Sequence, residues 1–231
     1  IRTVDSVIEE GREIVEKWPG TKLLYVQDDI FGFTIDKFKK DGTPRRGSLQ
    51  ELAERWPTEV GIPLHAQMRW EMTEHDSGSR RLDLAKRAGV TGLTLAIEAA
   101  DPVIRKEVLH RDMKEEVMFE GMKKLVEREL RVRTEQITGL PYGATTKPTL
   151  MNFDADVGLV ELNVRLRRET GGPDMAWAST YVPYRKSNDG FYSWILGFCR
   201  LPGNTVLKEF FDRSILWHLD VWIGDRPEIR E

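Results

Sequence analysis

The fold of this chain is decided by the stretch Gly89 to Pro141, GVTGLTLAIEAADPVIRKEVLHRDMKEEVMFEGMKKLVERELRVRTEQITGLP. Apolar residues crowd its first part, which reads as a buried strand ending in Ile97-Glu98. Asp101-Pro102 then offers a cap acceptor followed by proline at the first helical position, which predicts a helix start. A polar corner surrounds Arg111, a second helix spans Lys114 to Leu130, and a strand from Arg131 to Thr138 runs out into Gly139-Leu140-Pro141. Parallel strands need a long crossover and helices usually supply it, so a strand, helix, strand unit of this kind predicts an α/β fold with a parallel sheet. The polar residues fall where the strands end, the edge at which such sheets bind ligands.

Inside that unit, Met118, Met122, Leu125 and Val126 share one helical face, and a methionine stripe at this spacing reads as core. Arg133 and Glu135 interrupt a strand that burial should make apolar. Charged side chains inside a parallel strand face each other, a lumen or a ligand.

Upstream, Thr3 or Asp5 caps a helix that Pro19-Gly20 stops. Leu23 to Val26 is a short strand that ends in Gln27-Asp28-Asp29, two carboxylates that serve either a ligand or the start of a loop. Ile30 to Gly47 reads as a polar loop around a short helix, with Lys37, Lys39, Lys40, Arg45 and Arg46 forming a solvated basic face. Ser48 caps a helix to Trp56. In the strand from Ile62 to Trp70, Leu64, Ala66 and Met68 face one way and His65, Gln67 and Arg69 the other. The polar set points into a barrel lumen or, at a sheet edge, into water. A helix from Ser79 to Ala88, terminated by Gly89, leads back to the opening unit.

Downstream, a helix from Asn152 to Thr170 and a strand from Met175 to Val182 continue the alternation. Arg185 to Gly203 follows no clear pattern, and Thr205 to Leu219 reads as a final helix. Residues 1–184 are expected to form the barrel and residues 185–231 an extension packed on it.

Composition narrows the function classes. The chain has 231 residues, 40% of them hydrophobic and 32% charged, which suits a folded α/β domain. A formal charge of −3 argues against a protein that coats nucleic acid or an anionic membrane. No apolar run approaches the ~20 residues needed to cross a bilayer, and no signal pattern opens the chain, so a cytoplasmic location is expected. The single cysteine, Cys199, excludes a metal site built from several thiolates of these residues. With its start at Ile1, on what reads as the middle of a domain, the sequence is expected to be a piece of a longer chain.

Four motifs in order resemble the core of radical S-adenosylmethionine enzymes, nearest to the branch that often carries an N-terminal cobalamin-binding domain. They are Gln27-Asp28-Asp29-Ile30-Phe31, Gly92 to Ala99 with its Ile97-Glu98 end, Arg105 to Arg111, and Gly139-Leu140-Pro141. The resemblance covers Thr3 to about Tyr184. It implies a partial (β/α)6 TIM-like barrel with helices outside, of which this chain carries strands two to six. It also implies S-adenosylmethionine as cofactor, and a [4Fe–4S] cluster held by a CxxxCxxC loop that would lie upstream of Ile1. Cobalamin is a further cofactor of that branch. After Pro183-Tyr184 relatives continue with a Pro-Gly-Thr turn, where this chain has Arg185-Lys186-Ser187.

By the same resemblance Asp28 or Asp29 lies near the ammonium of S-adenosylmethionine, Glu98 contacts its amino acid or ribose part, and Arg111 takes its carboxylate. Glu135, four residues before Gly139, matches a ribose-binding acid, and Gly139 lets the backbone approach adenine. Gln67 joins this cofactor-binding set from the lumenal side of its strand. The alternative reading of the Glu98 and Arg111 pair is an ion pair tying a strand end to a helix end. The implied activity is reductive cleavage of S-adenosylmethionine, in a cobalamin-dependent methyltransferase or a related enzyme. Its partners would be a small-molecule or peptide substrate and an electron donor such as flavodoxin or ferredoxin, with no membrane or nucleic acid. The alternatives are a lyase using His65, Glu98 and Glu135 as acid and base, and a cluster-free barrel serving as a scaffold.

Overall fold

Leu93, Leu95 and Ile97 alternate along one strand and are each fully buried, and they mark the layer around which the chain is wound. The computed structural model describes residues 2–28, 30–140 and 153–180. In chain order these form α1 (Val4–Lys17), β1 (Leu24–Tyr25), α2 (Leu49–Glu59), β2 (Leu64–Met68), α3 (His75–Arg87), β3 (Val90–Glu98), α4 (Glu115–Glu127), β4 (Arg131–Thr138), α5 (Phe153–Thr170) and β5 (Met175–Thr180). The sheet has five strands in the order β1-β2-β3-β4-β5, with β1 to β4 paired in parallel. It curls into a half-barrel with helices around it, the partial TIM-like α/β architecture expected from the sequence. The residues from Ile1 to Ser179 cluster as one compact unit, and the description below concerns this unit.

Period-two alternation divides the sheet into two faces. Leu64, Ala66 and Met68 of β2, Leu93, Leu95 and Ile97 of β3 and Val132 of β4 are buried in one core with Leu82 and Ala85 of α3. Met118, Met122 and Leu125 of α4 and Leu159, Leu162 and Leu166 of α5 belong to the same core, so the methionine stripe is packing. On β4 this helix-facing side also carries polar groups that are fully satisfied. Thr134 Oγ1 donates to Asn163 Oδ1 at 2.6 Å, Asn163 Nδ2 to Gln136 Oε1 at 3.1 Å, and Gln136 Nε2 to the Trp177 carbonyl at 2.7 Å. This network joins β4, α5 and β5, and its complete pairing removes the cost of burying it.

Local chemistry accounts for most element boundaries. Thr3 Oγ1 accepts from Ser6 N at 3.3 Å and Ser48 Oγ from Glu51 N at 3.3 Å, which caps α1 and α2. Four expectations are corrected. The second helix continues through Pro57 to Glu59, because Val60 N and Gly61 N both close on the Trp56 carbonyl, at 3.0 and 2.9 Å. The third helix begins at His75 rather than Ser79, since a 3₁₀ turn at Trp70–Thr73 delivers the chain directly into it. His75-Asp76-Ser77-Gly78 has no apolar periodicity to announce this start.

The segment from Ile30 to Gly47 holds no helix among its described residues. It is a small antiparallel ribbon with a bridge between Phe38 and Pro44, closed where Asp41 Oδ1 accepts from Thr43 N at 2.9 Å. Finally, the helix started by Asp101-Pro102 widens into a short π turn at Ile104–Val108. The last two residues of the expected strand to Val182, the segment Arg185 to Gly203 and the helix from Thr205 lie outside the described residues. Among the described residues no helix is long and apolar enough to cross a membrane.

Candidate functional site

Glu98 closes β3 in a backbone conformation that the sequence did not announce. Its φ is +66°, in the left-handed region that non-glycine residues seldom adopt. The pairing with β4 slips at the same point, from Ala96 opposite Glu135 to Glu98 opposite Gln136, so a bulge turns the Glu98 side chain out of the strand's alternation. Strain of this kind costs about 1–3 kcal/mol and persists only where neighbouring structure enforces it.

The enforcing structure is the π turn. Asp101 Oδ1 accepts from Val103 N at 2.7 Å and Ile104 N at 3.1 Å, which starts the turn immediately after the strand. Arg105 is 2% exposed and points back beneath it. Its Nη1 donates to the carbonyls of Ala99 and Ala100 at 2.9 and 3.0 Å, while its own carbonyl accepts from Arg111 N at 2.7 Å. One buried residue therefore fixes the loop after Glu98 through its side chain and the backbone of Arg111 through its carbonyl. Burial holds the Arg105 guanidinium below the usual arginine range, countered in part by Asp101.

Arg111 Nη1 stands 3.6 Å from Glu98 Oε1, and the two side chains are 18% and 25% exposed. At that distance the contact is Coulombic rather than a hydrogen bond. Burial raises the Glu98 carboxyl above its ordinary range; Arg111 opposes the shift, Glu135 adds to it and Arg69 lowers it. Desolvation wins because the cation stands too far off to donate. Arg111 Nε and Nη2 are buried and meet no hydrogen-bond partner among the described residues. The outer fork of this guanidinium thus faces an unfilled requirement for an acceptor.

Glu135 lies on β4 opposite Ala96, near enough to repel Glu98. It accepts from Arg133 Nη2 on its own strand. Gly139, at φ +72°, donates its N–H to both carboxylate oxygens of Asp156 at 3.1 and 3.2 Å, and Asp156 comes from the first turn of α5. That carboxylate pins the exit of β4. Gln67 is half-buried on the concave face and donates to Tyr25 Oη at 3.2 Å, within a floor that also holds His65, Thr94 and Arg133. Asp28 is exposed, with its Oδ1 at 3.5 Å from Ile30 N, and Asp29 lies outside the described residues.

The structure thus brings Glu98, Arg111 and Glu135 to one strand edge and links Gln67 to the polar floor beside it. Arg105, Asp156 and Tyr25 escaped the sequence reading. An arginine among hydrophobic neighbours, an acid in a first helical turn and a tyrosine in a two-residue strand are weak signals individually. A cleft of about 340 Å³ lies elsewhere, lined by Ala100, Asp101, Asp154, Gly158, Leu162 and Arg165 among others. None of Glu98, Arg111 and Glu135 lines it, and the perturbed carboxyl and a guanidinium whose Nε and Nη2 have no hydrogen-bond partner among the described residues mark the strand edge as the better candidate. No group of three or more metal-ligating side chains exists among the described residues.

No family model and no curated protein matches the chain. Solved structures do. The radical S-adenosylmethionine methyltransferase TsrM from Kitasatospora setae, with tryptophan substrate and an S-adenosylmethionine analogue bound, superposes with a TM-score of 0.55 at 17% identity. That match covers 77% of this chain and 30% of the other. The same enzyme with cobalamin and a [4Fe-4S] cluster bound gives 0.50 at 16% identity, over 78% and 29%. The chain spans about 30% of the length of the structure it matches, and at this identity the two share a fold.

Proposed function

We propose that this chain is the S-adenosylmethionine-binding core of a radical S-adenosylmethionine enzyme. The observation that carries the reading is the Arg111 guanidinium, held at a strand's carboxyl end with Nε and Nη2 buried and without a hydrogen-bond partner among the described residues, beside a carboxyl raised by burial. The shared fold and the four ordered motifs support it. An amino acid headgroup answers both needs, since its carboxylate would accept from the free fork of Arg111 and its ammonium would replace the lost hydration of Glu98. Glu135 would accept from ribose hydroxyls. Gly139 has already given its N–H to Asp156, so its contribution is the absence of a side chain beneath adenine.

When bound, S-adenosylmethionine supplies reductive cleavage chemistry or a transferable methyl group. A [4Fe–4S] cluster takes several thiolates, and these residues contain one cysteine, so they do not fit that group and no step is derived through it. Its ligands would come from elsewhere in the protein. Within the superfamily we favour a methyltransferase working on a small molecule or peptide, with an electron-donor protein as partner; no described residue is assigned to cobalamin.

Calorimetric titration with S-adenosylhomocysteine tests the reading without a cluster. Saturable one-to-one binding that falls at least tenfold in Arg111→Ala is expected. Absence of binding by a folded chain would overturn it and favour a scaffold.

A further inference from the structure

The concave floor of the half-barrel contains one connected set of polar side chains drawn from four strands. Arg133 Nη2 donates to Tyr25 Oη at 2.7 Å, and Gln67 Nε2 donates to the same oxygen at 3.2 Å. These occupy both lone pairs of the phenol, so its proton goes to Thr94 Oγ1 at 3.4 Å. Thr94 Oγ1 also lies 2.7 Å from His65 Nε2, as donor or acceptor according to the imidazole tautomer. Burial and the charge of Arg133 both lower the His65 pKa and favour its neutral form.

The same residues are fixed by packing. The His65 and Tyr25 rings stack with centroids 5.0 Å apart and planes 13° from parallel. The guanidinium of Arg133 sits over the Tyr25 ring at 5.3 Å and the Trp177 ring at 5.7 Å. A side chain at residue 92 would put its Cβ 2.7 Å from His65 Nδ1, so only glycine allows the imidazole to lie across β3 there. Nη2 of Arg133 has two protons; one goes to Tyr25 and the other to Glu135 Oε1. Glu135 Oε2 has no hydrogen bond to any described residue.

We infer that Arg133, held between Tyr25 and Trp177, is the positioning residue that aims Glu135 at a vicinal diol, with Oε1 anchored and Oε2 presented to the ligand's hydroxyls. This rests on the reading of Glu135 as a ribose-binding acid. It assigns the polar floor to supporting the nucleoside end of the ligand, separately from the amino acid end at Arg111. A carboxylate clamped at one oxygen by a cation that is itself stacked and hydrogen-bonded loses little entropy when the second oxygen engages.

The test is calorimetric titration of S-adenosylhomocysteine into the chain and its variants, each first checked by circular dichroism. Glu135→Gln and Arg133→Gln should each weaken binding about tenfold, and the double variant should be no weaker than the poorer single variant within about twofold, because both remove one interaction. Arg133→Gln combined with Arg111→Ala should instead multiply the two losses. Tyr25→Phe, which keeps the arginine but removes its phenol acceptor, should weaken binding about threefold. Multiplying losses in the Glu135→Gln, Arg133→Gln pair, or wild-type affinity in Tyr25→Phe, would overturn the positioning role and leave the S-adenosylmethionine reading standing. No binding by the unmodified chain would overturn both.

Discussion

Glu98 Oε1 and Arg111 Nη1 stand 3.6 Å apart, an ion pair too long for a hydrogen bond, even though both side chains are largely buried. Two groups that have lost water without gaining each other's full contact are poised for a third. The strained backbone at Glu98 and the unfilled donors of Arg111 have the same origin, the Arg105 clamp that sets both segments.

Replacing Glu98 by glycine is expected to stabilise the chain, by about 1 kcal/mol, because a φ of +66° is unstrained for glycine and a buried carboxylate is removed. The same change should abolish measurable binding of S-adenosylhomocysteine. Thermal unfolding with parallel calorimetry checks both. A lower Tm would show that Glu98 holds the loop instead of being held by it.

The pH dependence has a definite sign. Burial raises the Glu98 carboxyl in the folded state, so as pH climbs from the unfolded value, near 4.5, to the folded one, the unfolded chain releases this proton first and stability falls. Glu98→Gln should therefore raise Tm at pH 7 and change it much less at pH 4, where the carboxyl is mostly protonated in both states. An equal effect at the two pH values would contradict the buried setting of the carboxyl.

His65 behaves in the opposite sense. Its folded pKa lies below the ordinary 6.5 through burial and Arg133, so its neutral form contributes stability above that pH which is lost as pH falls through it. His65→Gln is expected to lose less stability than the parent between pH 7.5 and 5.5, followed by chemical denaturation. Parallel curves would show that His65 is not held neutral.

Arg105 touches no candidate ligand group, yet Arg105→Met should cost about 3 kcal/mol or more. The two carbonyls it satisfies would be left unpaired, and the buried loop would lose its anchor. Urea denaturation measures the loss. Binding should weaken with it at temperatures where the variant is still folded, since the loop after Glu98 loses its side-chain anchor.

Asp156→Ala should cost about 1–2 kcal/mol by freeing the Gly139 amide. Hydrogen exchange at Gly139 would accelerate, whereas exchange at Leu95 in the centre of β3 should follow only the global loss.

Much of the architecture was legible in the residues themselves. The strand from Arg131 to Thr138 appears with the bounds expected, because alternation of Val132 and Thr134 with Arg133 and Glu135 is a local record of which side faces the helices. Caps at Thr3 and Ser48 are equally local, needing only an acceptor two or three residues from a free amide. The start of α3 and the π turn were not legible, because each is imposed by contacts with residues outside its own window.

The sequence by itself determined the alternation of strands and helices, the polar residues at the strand ends and the absence of enough thiolates for a cluster, since all three follow from residue identity and spacing. Only the tertiary structure decided how those residues act together. It turned Glu98 out of its strand, left the fork of Arg111 without an acceptor among the described residues, and ran a chain of hydrogen bonds from His65 to Glu135 across four strands. Such relations depend on register and on the burial of one arginine beneath a loop, and neither is encoded within any short stretch of sequence.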